Sequence, residues 1–286
     1  MNKKYKGIIC IVISAFCFAV MGLFVKLAGD LPVFQKSFFR NTVSLLFAYL
    51  MLKKAPETKK LDKGDKTVLF LRSLFGATGV VCNFYAVDHL LLADAGILNK
   101  LSPFFALLMG ALVLKEKLRP FQVGAVIAAF MGALLVIKPG AGIASMPALI
   151  GFFGGACAGT AYTMIRLLGK RGVSGPYIVF YFSAFSLITM GPLMLFDLRP
   201  MTFMQVAFLL LAGLSAAGGQ FAITAAYCYA PAREISIFDY SQIIFSAALG
   251  FVFFRQVPDM WSFMGYGVIL ATAFANFLYN TKKAEN

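Results

Sequence analysis

The chain has 286 residues, of which 60% are hydrophobic and only 13% are charged, and its formal net charge is +14. A soluble protein carries roughly 25% charged residues, so this composition predicts an all-α integral membrane protein. The basic residues lie in short links between apolar runs, as in loops that face anionic lipid, which argues against nucleic acid as a partner.

Apolar runs of about 20 residues, each long enough to cross a hydrocarbon core of ~30 Å, recur along the whole chain. The first run is too long for the apolar part of a signal peptide and is followed by further runs, so it is interpreted as a helix of the mature protein. We predict ten transmembrane spans, at residues 7–28, 35–52, 67–87, 93–114, 121–138, 147–168, 176–196, 204–229, 232–254 and 261–280.

The charges of the links predict how the spans are oriented. With a cytoplasmic N-terminus, 18 Lys and Arg residues fall on the inner side and five on the outer side. Lys and Arg in short loops remain preferentially on the cytoplasmic side. Both termini are therefore predicted to be cytoplasmic, in a multi-pass protein of a bacterial-type plasma (inner) membrane.

The fourth span carries polar residues within otherwise apolar sequence. Asn99, Ser102 and Pro103 recur at i, i+3 and i+4 and so share one helix face. Pro103 removes a backbone hydrogen bond and frees a carbonyl that protein or cavity water must satisfy. We favour a face that lines a cavity; the alternative is a structural kink with Asn99 bonded to a neighbouring helix.

Two charged residues lie deep within predicted spans. A charge at the position of Lys100 costs roughly 3 kcal/mol or more in lipid, which favours a water-filled cavity over snorkelling to the headgroups. Asp239 is the only acidic residue placed well inside a span. Along continuous helices the two lie about 10 Å apart in depth, so a direct ion pair is not expected. The alternative is that Asp239 pairs locally with Arg72 or Arg166.

Other polar side chains at comparable depth complete the predicted substrate-binding cavity. They are Arg40, Asn83, Tyr85, Tyr162, Tyr181, Gln220 and Tyr240. An alternative for the tyrosines is a belt at the membrane interface. Asp239 and Pro103 are predicted to serve gating or coupling.

Glycines recur every four residues at Gly151, Gly155 and Gly159. Such stripes let helices approach closely. In a single chain of many helices they indicate packing within the chain rather than dimerisation, so we predict a monomer or weak homodimer.

The two halves of the chain match at an offset of about 140 residues. Gly79 falls on Gly219 and Asn99 on Asp239, and further matches extend across four spans. Five spans per half is an odd number, so the second half must be inverted relative to the first. The predicted units are residues 1–140, with helices one to five, and residues 141–286, with helices six to ten.

The stretch LSPFFALLMGALVLKEKLRPFQVGAVIAAFMGALLVIKPG resembles the EamA-type core of the drug/metabolite transporter superfamily. It has S-P, a small-residue-rich helix, a Glu-containing link, Q-x-x-G and a helix ending in K-P. Phe38–Arg40 is similar to the second helix of that family. In the second half, Gln256 replaces the Glu and no proline stands opposite Pro103. The resemblance implies ten spans in two five-helix repeats and the transport of small organic molecules.

Motifs of other classes are missing from the sequence. There is no GxxxxGK[ST] loop, so the chain does not itself run on ATP. The five cysteines form no CxxC pair, and a single His excludes a His-cluster metal site. We therefore predict a secondary-active transporter that is not an enzyme and has neither metal nor cofactor.

Export of a small organic metabolite such as an amino acid, by alternating access around a central cavity, is the predicted activity, with protons as a candidate coupling ion. Alternatives are an intramembrane enzyme or lipid-handling protein that uses Lys100 and Asp239, or a multidrug exporter. The outer half of the spans is net basic through Lys26, Arg40 and Lys100, which favours a carboxylate substrate over a cationic drug.

Overall fold

The computed structural model describes residues 3–54, 61–114, 120–137, 145–229 and 237–282. Within these ranges the regular structure is entirely helical. The proposed boundary between the halves, at residues 140 and 141, and the link at 115–119 lie outside the described residues. The helices are α1 Lys3–Leu27, α2 Val33–Lys54, α3 Lys63–His89, α4 Leu92–Asn99, α5 Ser102–Leu114, α6 Pro120–Ile137, α7 Ser145–Lys170, α8 Gly175–Phe196, α9 Phe203–Tyr229, α10 Ser241–Phe254 and α11 Met260–Lys282.

Nine segments of the described ranges are long and apolar enough to cross a bilayer, so the prediction of an all-α membrane protein is confirmed. The second predicted span, α2, is not among the nine, because Lys36, Arg40 and other polar residues lower its hydropathy. These two side chains are buried against neighbouring helices rather than exposed. At 22 residues α2 is ~33 Å long, enough to span, and a tenth crossing stays a prediction.

Helices that are far apart in sequence are neighbours in the bundle. The helix α1 packs against α9, α2 against α8, and α3 against α7. The helices α6 and α11 pack mainly against each other. Glycines permit this last contact, since a Cβ added at Gly265 would lie 2.7 Å from the carbonyl oxygen of Gly132. This pair therefore stands beside the other helices rather than among them.

The fourth predicted span is broken into α4 and α5. Pro103 has no N–H to donate to the carbonyl of Asn99, so the α-helical hydrogen bonding stops there. Lys100 and Leu101 form a turn, in which the Leu101 amide donates to the Leu98 carbonyl at 3.3 Å. The kink expected from the proline is thus a complete interruption of the helix.

A second break lies just before α10, although no proline is present there. The turn at Tyr240 follows the helical residues 237–239, and the Tyr240 amide donates to the Ile237 carbonyl at 3.3 Å. The Ser241 hydroxyl donates to the Phe238 carbonyl at 2.7 Å. A side-chain hydroxyl therefore satisfies a carbonyl that the interrupted helix leaves free.

The backbone of α7 lies directly against the break between α4 and α5. A Cβ added at Gly155 would lie 2.5 Å from the Leu98 carbonyl oxygen, and one at Gly159 would lie 2.4 Å from the Ser102 carbonyl oxygen. Only glycine permits this distance. The prediction that this glycine stripe packs within the chain is confirmed.

We expect Gly159→Ala to destabilise the protein, because its Cβ cannot fit beside the Ser102 carbonyl. Overpacking typically costs about 1–3 kcal/mol, measured here as a lower Tm of the purified protein in detergent. Gly169→Ala is the matched control on the same helix, since nothing lies within 4 Å of its added Cβ. Alanine favours a helix over glycine, so the control should keep or raise the Tm. Equal losses in both variants would contradict this packing.

Candidate functional site

A cavity of about 90 Å³ lies near the middle of the bundle. It exceeds the roughly 10–15 Å³ that a cavity needs to hold one water. Residues of α1, α2, α3, α7, α8, α9 and α10 line it, together with the break between α4 and α5. Among the described residues, none from α6 or α11 contributes. Its polar lining consists of Arg40, Arg72, Asn83, Asn99, Lys100, Tyr162, Gln220 and Gln242.

A buried ion pair joins the two helix breaks. Lys100 Nζ lies 2.6 Å from Asp239 Oδ2, and both side chains are only 3% exposed. The other carboxylate oxygen, Asp239 Oδ1, is buried without a hydrogen-bond partner in the part of the chain that the structure describes. This pairing contradicts the expectation that depth separates Lys100 from Asp239, and it also differs from the alternative in which Asp239 pairs with Arg72 or Arg166.

The depth estimate was wrong because it treated both helices as continuous. In the structure each residue lies at a break, Lys100 after the end of α4 and Asp239 before the start of α10. The two helices α4 and α10 also contact each other. The long Lys100 side chain can therefore reach Asp239 directly.

Two arginines face the same cavity. The Arg40 guanidinium donates from Nη1 to Asn41 Oδ1 at 2.8 Å, and the Arg72 guanidinium lies 3.8 Å from the centre of the Phe182 ring. Tyr162 is close enough to interact electrostatically with both arginines. This corner of the cavity is therefore strongly positive.

Six of the predicted site residues come together in this cavity. Sequence reasoning missed Arg72 and Gln242 as lining residues. The available signals were a charge within the third span at Arg72 and the i, i+3 spacing of Gln242 from Asp239. The predicted residues that line the cavity are Arg40, Asn83, Asn99, Lys100, Tyr162 and Gln220.

The other predicted residues lie elsewhere. Tyr85 stacks on His89 with 4.2 Å between ring centroids, and Tyr181 packs in a separate apolar cluster with Leu69. Tyr240 is 4% exposed in an apolar core. Depth alone, which was the criterion for these tyrosines, does not tell which side of a helix faces the cavity.

Ser102 and Pro103 also stand outside the lining. Ser102 is buried at the first position of α5, where its carbonyl lies against α7. Pro103 follows it and interrupts the helix. Ser102 and Pro103 therefore form the helix break without lining the cavity, whereas the neighbouring Asn99 and Lys100 line it.

A second cavity, of about 420 Å³, lies at the end of the bundle where α3 ends and α4 begins. Polar contacts tie the helices together around it. Lys36 Nζ lies 2.6 Å from Asp88 Oδ1, and the Tyr266 hydroxyl donates to Asp94 Oδ1 at 2.6 Å. Gln256 Oε1 accepts from the Leu92 amide at 3.0 Å. These contacts join α2 to α3, and α4 both to α11 and to the link after α10.

A multi-pass helical bundle around a buried, polar and charged cavity is the architecture of a membrane transporter. The model of the "EamA-like transporter family" matches residues 5–138. A relative named "Pseudopaline exporter CntI", from Pseudomonas aeruginosa, is 34% identical over 280 residues, which cover 97% of each chain. The chain belongs to the EamA-like transporter family, as its resemblance to the drug/metabolite transporters implied.

Two further comparisons bear on the family and on the fold, respectively. "Solute carrier family 35 member G1" of Homo sapiens is 28% identical over 283 residues, covering 93% of this chain and 77% of the human protein. A crystal structure of another protein superposes with a TM-score of 0.68 at 16% identity, covering 96% of this chain and 98% of the other. At that identity the superposition supports the fold alone.

We expect the Lys100–Asp239 pair to be strongly coupled energetically. Removing one partner of a buried pair typically costs about 3–5 kcal/mol, because the other charge stays buried and uncompensated. Lys100→Met and Asp239→Asn should each lower the Tm in detergent. The double variant should lose less than the sum of the two, since it buries neither charge. Additive losses would mean that the two side chains do not interact.

Proposed function

We propose that the protein is a secondary-active transporter that exports a small organic metabolite, such as an amino acid, by alternating access around the central cavity. The observation that carries this proposal is a buried polar cavity enclosed by helices of both halves, in a chain of a transporter family. The similarity to an exporter over nearly the whole chain supports the direction.

We infer ten spans in two inverted repeats, with α2 as the tenth crossing. If the repeats hold, α1 to α3 correspond to α7 to α9, and the break of α4 and α5 corresponds to the break before α10. The packing supports this, because the contact of α1 with α9 then has its counterpart in that of α3 with α7. Likewise, the contact of α5 with α7 has its counterpart in that of α10 with α1.

Individual residues support the same correspondence. The Ser14 hydroxyl donates to the Gly219 carbonyl at 2.8 Å across the contact of α1 with α9. At the equivalent positions of α3 and α7, a Cβ on Gly154 would lie 3.4 Å from the Gly79 carbonyl oxygen. Such a pseudo-symmetry lets one site open to either side by exchanging the arrangements of the two halves. Cytoplasmic termini in a bacterial-type inner membrane follow from the charge bias of the links.

The ion pair of Lys100 with Asp239 is proposed as the coupling element. It joins the two helix breaks, where the helical hydrogen bonding is already interrupted. The free oxygen Asp239 Oδ1 is a place where a proton can bind. Protonation would remove the charge that holds Lys100, so the two breaks could separate. In this proposal the helix break at Pro103 acts as the gate, and the proton gradient is the energy source for transport.

A flux experiment tests transport against chemical conversion. The purified protein is screened by thermal shift against metabolites, because a ligand that binds only the folded state raises the Tm. A labelled hit is then loaded into proteoliposomes, and its release and mass are followed. Export predicts release of the unchanged compound that is faster than from empty liposomes. Release of a chemically altered compound would identify an enzyme instead.

We expect Asp239→Asn to uncouple transport from pH. The variant keeps the size of the side chain but cannot exchange a proton, so ligand-induced thermal shifts should persist while flux loses its dependence on pH. Asp197→Asn is the control, because Asp197 is exposed and lies outside the cavity. Folding of both variants is checked by size-exclusion chromatography. An unchanged pH profile in a well-folded Asp239→Asn protein would remove the coupling role.

A further inference from the structure

Two buried guanidiniums in the central cavity have donors without acceptors. Arg40 on α2 is 3% exposed and Arg72 on α3 is 2% exposed. Within the described ranges, Arg40 Nε has no hydrogen-bond partner, and neither Nε nor Nη1 of Arg72 has one. Among the described residues, no carboxylate forms an ion pair with either side chain. The cavity thus holds preformed, unused hydrogen-bond donors.

The charge of the cavity is not balanced by its own lining. Lys100 and Asp239 neutralise each other, which leaves the charges of Arg40 and Arg72. These two lie close enough to repel one another. Buried charges in proteins are normally paired, because leaving one uncompensated is costly. The missing partner for this pair of cations is an anion that the cavity receives.

The structure holds the Arg72 donors in place without using them. The guanidinium stacks on the Phe182 ring, a contact that leaves its N–H edge free. Gly76, one helical turn after Arg72, makes the stacking possible. A Cβ at Gly76 would lie 3.0 Å from Arg72 Nη1 and 3.0 Å from Phe182 Cε2. An aromatic ring thus does the positioning that a carboxylate does for most buried arginines.

We propose that Arg40 and Arg72 form a subsite for a small organic anion that carries two carboxylate groups. Each guanidinium can bind a carboxylate through two parallel N–H donors, and two such groups balance the two uncompensated charges. Asn83, Gln220 and Gln242 line the same cavity and offer neutral hydrogen bonds to the remainder of the anion. This assignment rests on the proposed transport function and names the substrate class of the same cavity.

Thermal unfolding of the purified wild-type protein in a neutral detergent at fixed ionic strength tests the assignment. The probes are the sodium salts of malonate, succinate, L-malate, L-aspartate, glutarate and L-glutamate. They are compared with acetate, with the neutral succinamide and glutaramide, with the diamine putrescine, and with inorganic phosphate. At least one dicarboxylate should raise the Tm in a saturable manner. Its diamide should not, and acetate should act only at much higher concentration.

The wild-type panel decides the question even if a variant does not fold. If no dicarboxylate raises the Tm above the effect of the diamides, the assignment is wrong. It is equally wrong if putrescine or phosphate is the stabilising probe. Phosphate would mean that the two guanidiniums recognise a phosphoryl group rather than carboxylates.

Variants locate the effect in the cavity. Arg40→Gln and Arg72→Gln should each weaken the apparent affinity for the dicarboxylate roughly tenfold or more, since each removes a charged donor set. Neither should lower the Tm of the ligand-free protein as much as Lys100→Met does, because neither leaves a partner charge behind. Arg199→Gln is the control, as Arg199 is exposed and pairs with the exposed Asp30. Affinities that are unchanged in both cavity variants would overturn the subsite.

Measuring the flux of the bound compound in proteoliposomes tests the dicarboxylate subsite and the transport function separately. If a neutral or cationic compound binds and is exported unchanged, the transport function stands and the dicarboxylate subsite is wrong. If a dicarboxylate binds through the two arginines but proteoliposomes convert it chemically, the subsite stands and the transport function is wrong. Release of the bound dicarboxylate unchanged supports both.

Discussion

The buried ion pair between Lys100 and Asp239 is the contact on which the centre of the bundle depends. It joins two interrupted helices, one from each half of the chain, at the point where neither has its full set of backbone hydrogen bonds. Without the pair, each charge would stand alone in a protein interior surrounded by lipid. The pair also cancels its own charge, so the field in the cavity is set by the arginines beside it.

Close backbone contacts give this centre its shape. The helix α7 lies against the break of α4 and α5 through Gly155 and Gly159, at distances that exclude any side chain. The helices α6 and α11 instead pair with each other through Gly132 and Gly265 and contribute no lining residue among those described. Eight of the predicted spans thus surround the cavity, while two brace the bundle from one side.

Composition and the apolar runs predicted the all-α membrane class from the sequence, and six of the predicted site residues line the cavity. The polar residues in the fourth span were informative because a polar group in lipid needs a partner. The polar residues of α2 lower its hydropathy, and a single sequence does not reveal that Lys36 and Arg40 are buried by neighbouring helices. Depth along a helix selected Arg40 and Gln220, which line the cavity, but also Tyr85 and Tyr181, which do not, because depth carries no information on the direction of a side chain.

The ion pair was beyond sequence reasoning for a related reason. Straight helices place Lys100 and Asp239 at different depths, and only the two breaks bring them together. Pro103 indicated the first break in the sequence. The second break depends on a turn at Tyr240 and on the hydrogen bond from the Ser241 hydroxyl, for which the sequence carries no comparable signal. Arg72 was missed as a cavity residue because its nearest support, the Phe182 ring, lies more than a hundred positions away.

The pairing of α1 with α9 and of α3 with α7 has a consequence for how the chain is made. Neither half has an interior of its own, because the two largest apolar clusters each combine residues from both halves. At about 5–20 residues per second, the 139 positions from Lys100 to Asp239 take on the order of ten seconds to synthesise. During that interval the first half resides in the bilayer with Lys100 lacking its carboxylate. During biogenesis, water, lipid headgroups or the insertion machinery must therefore solvate the Lys100 ammonium until Asp239 has been synthesised.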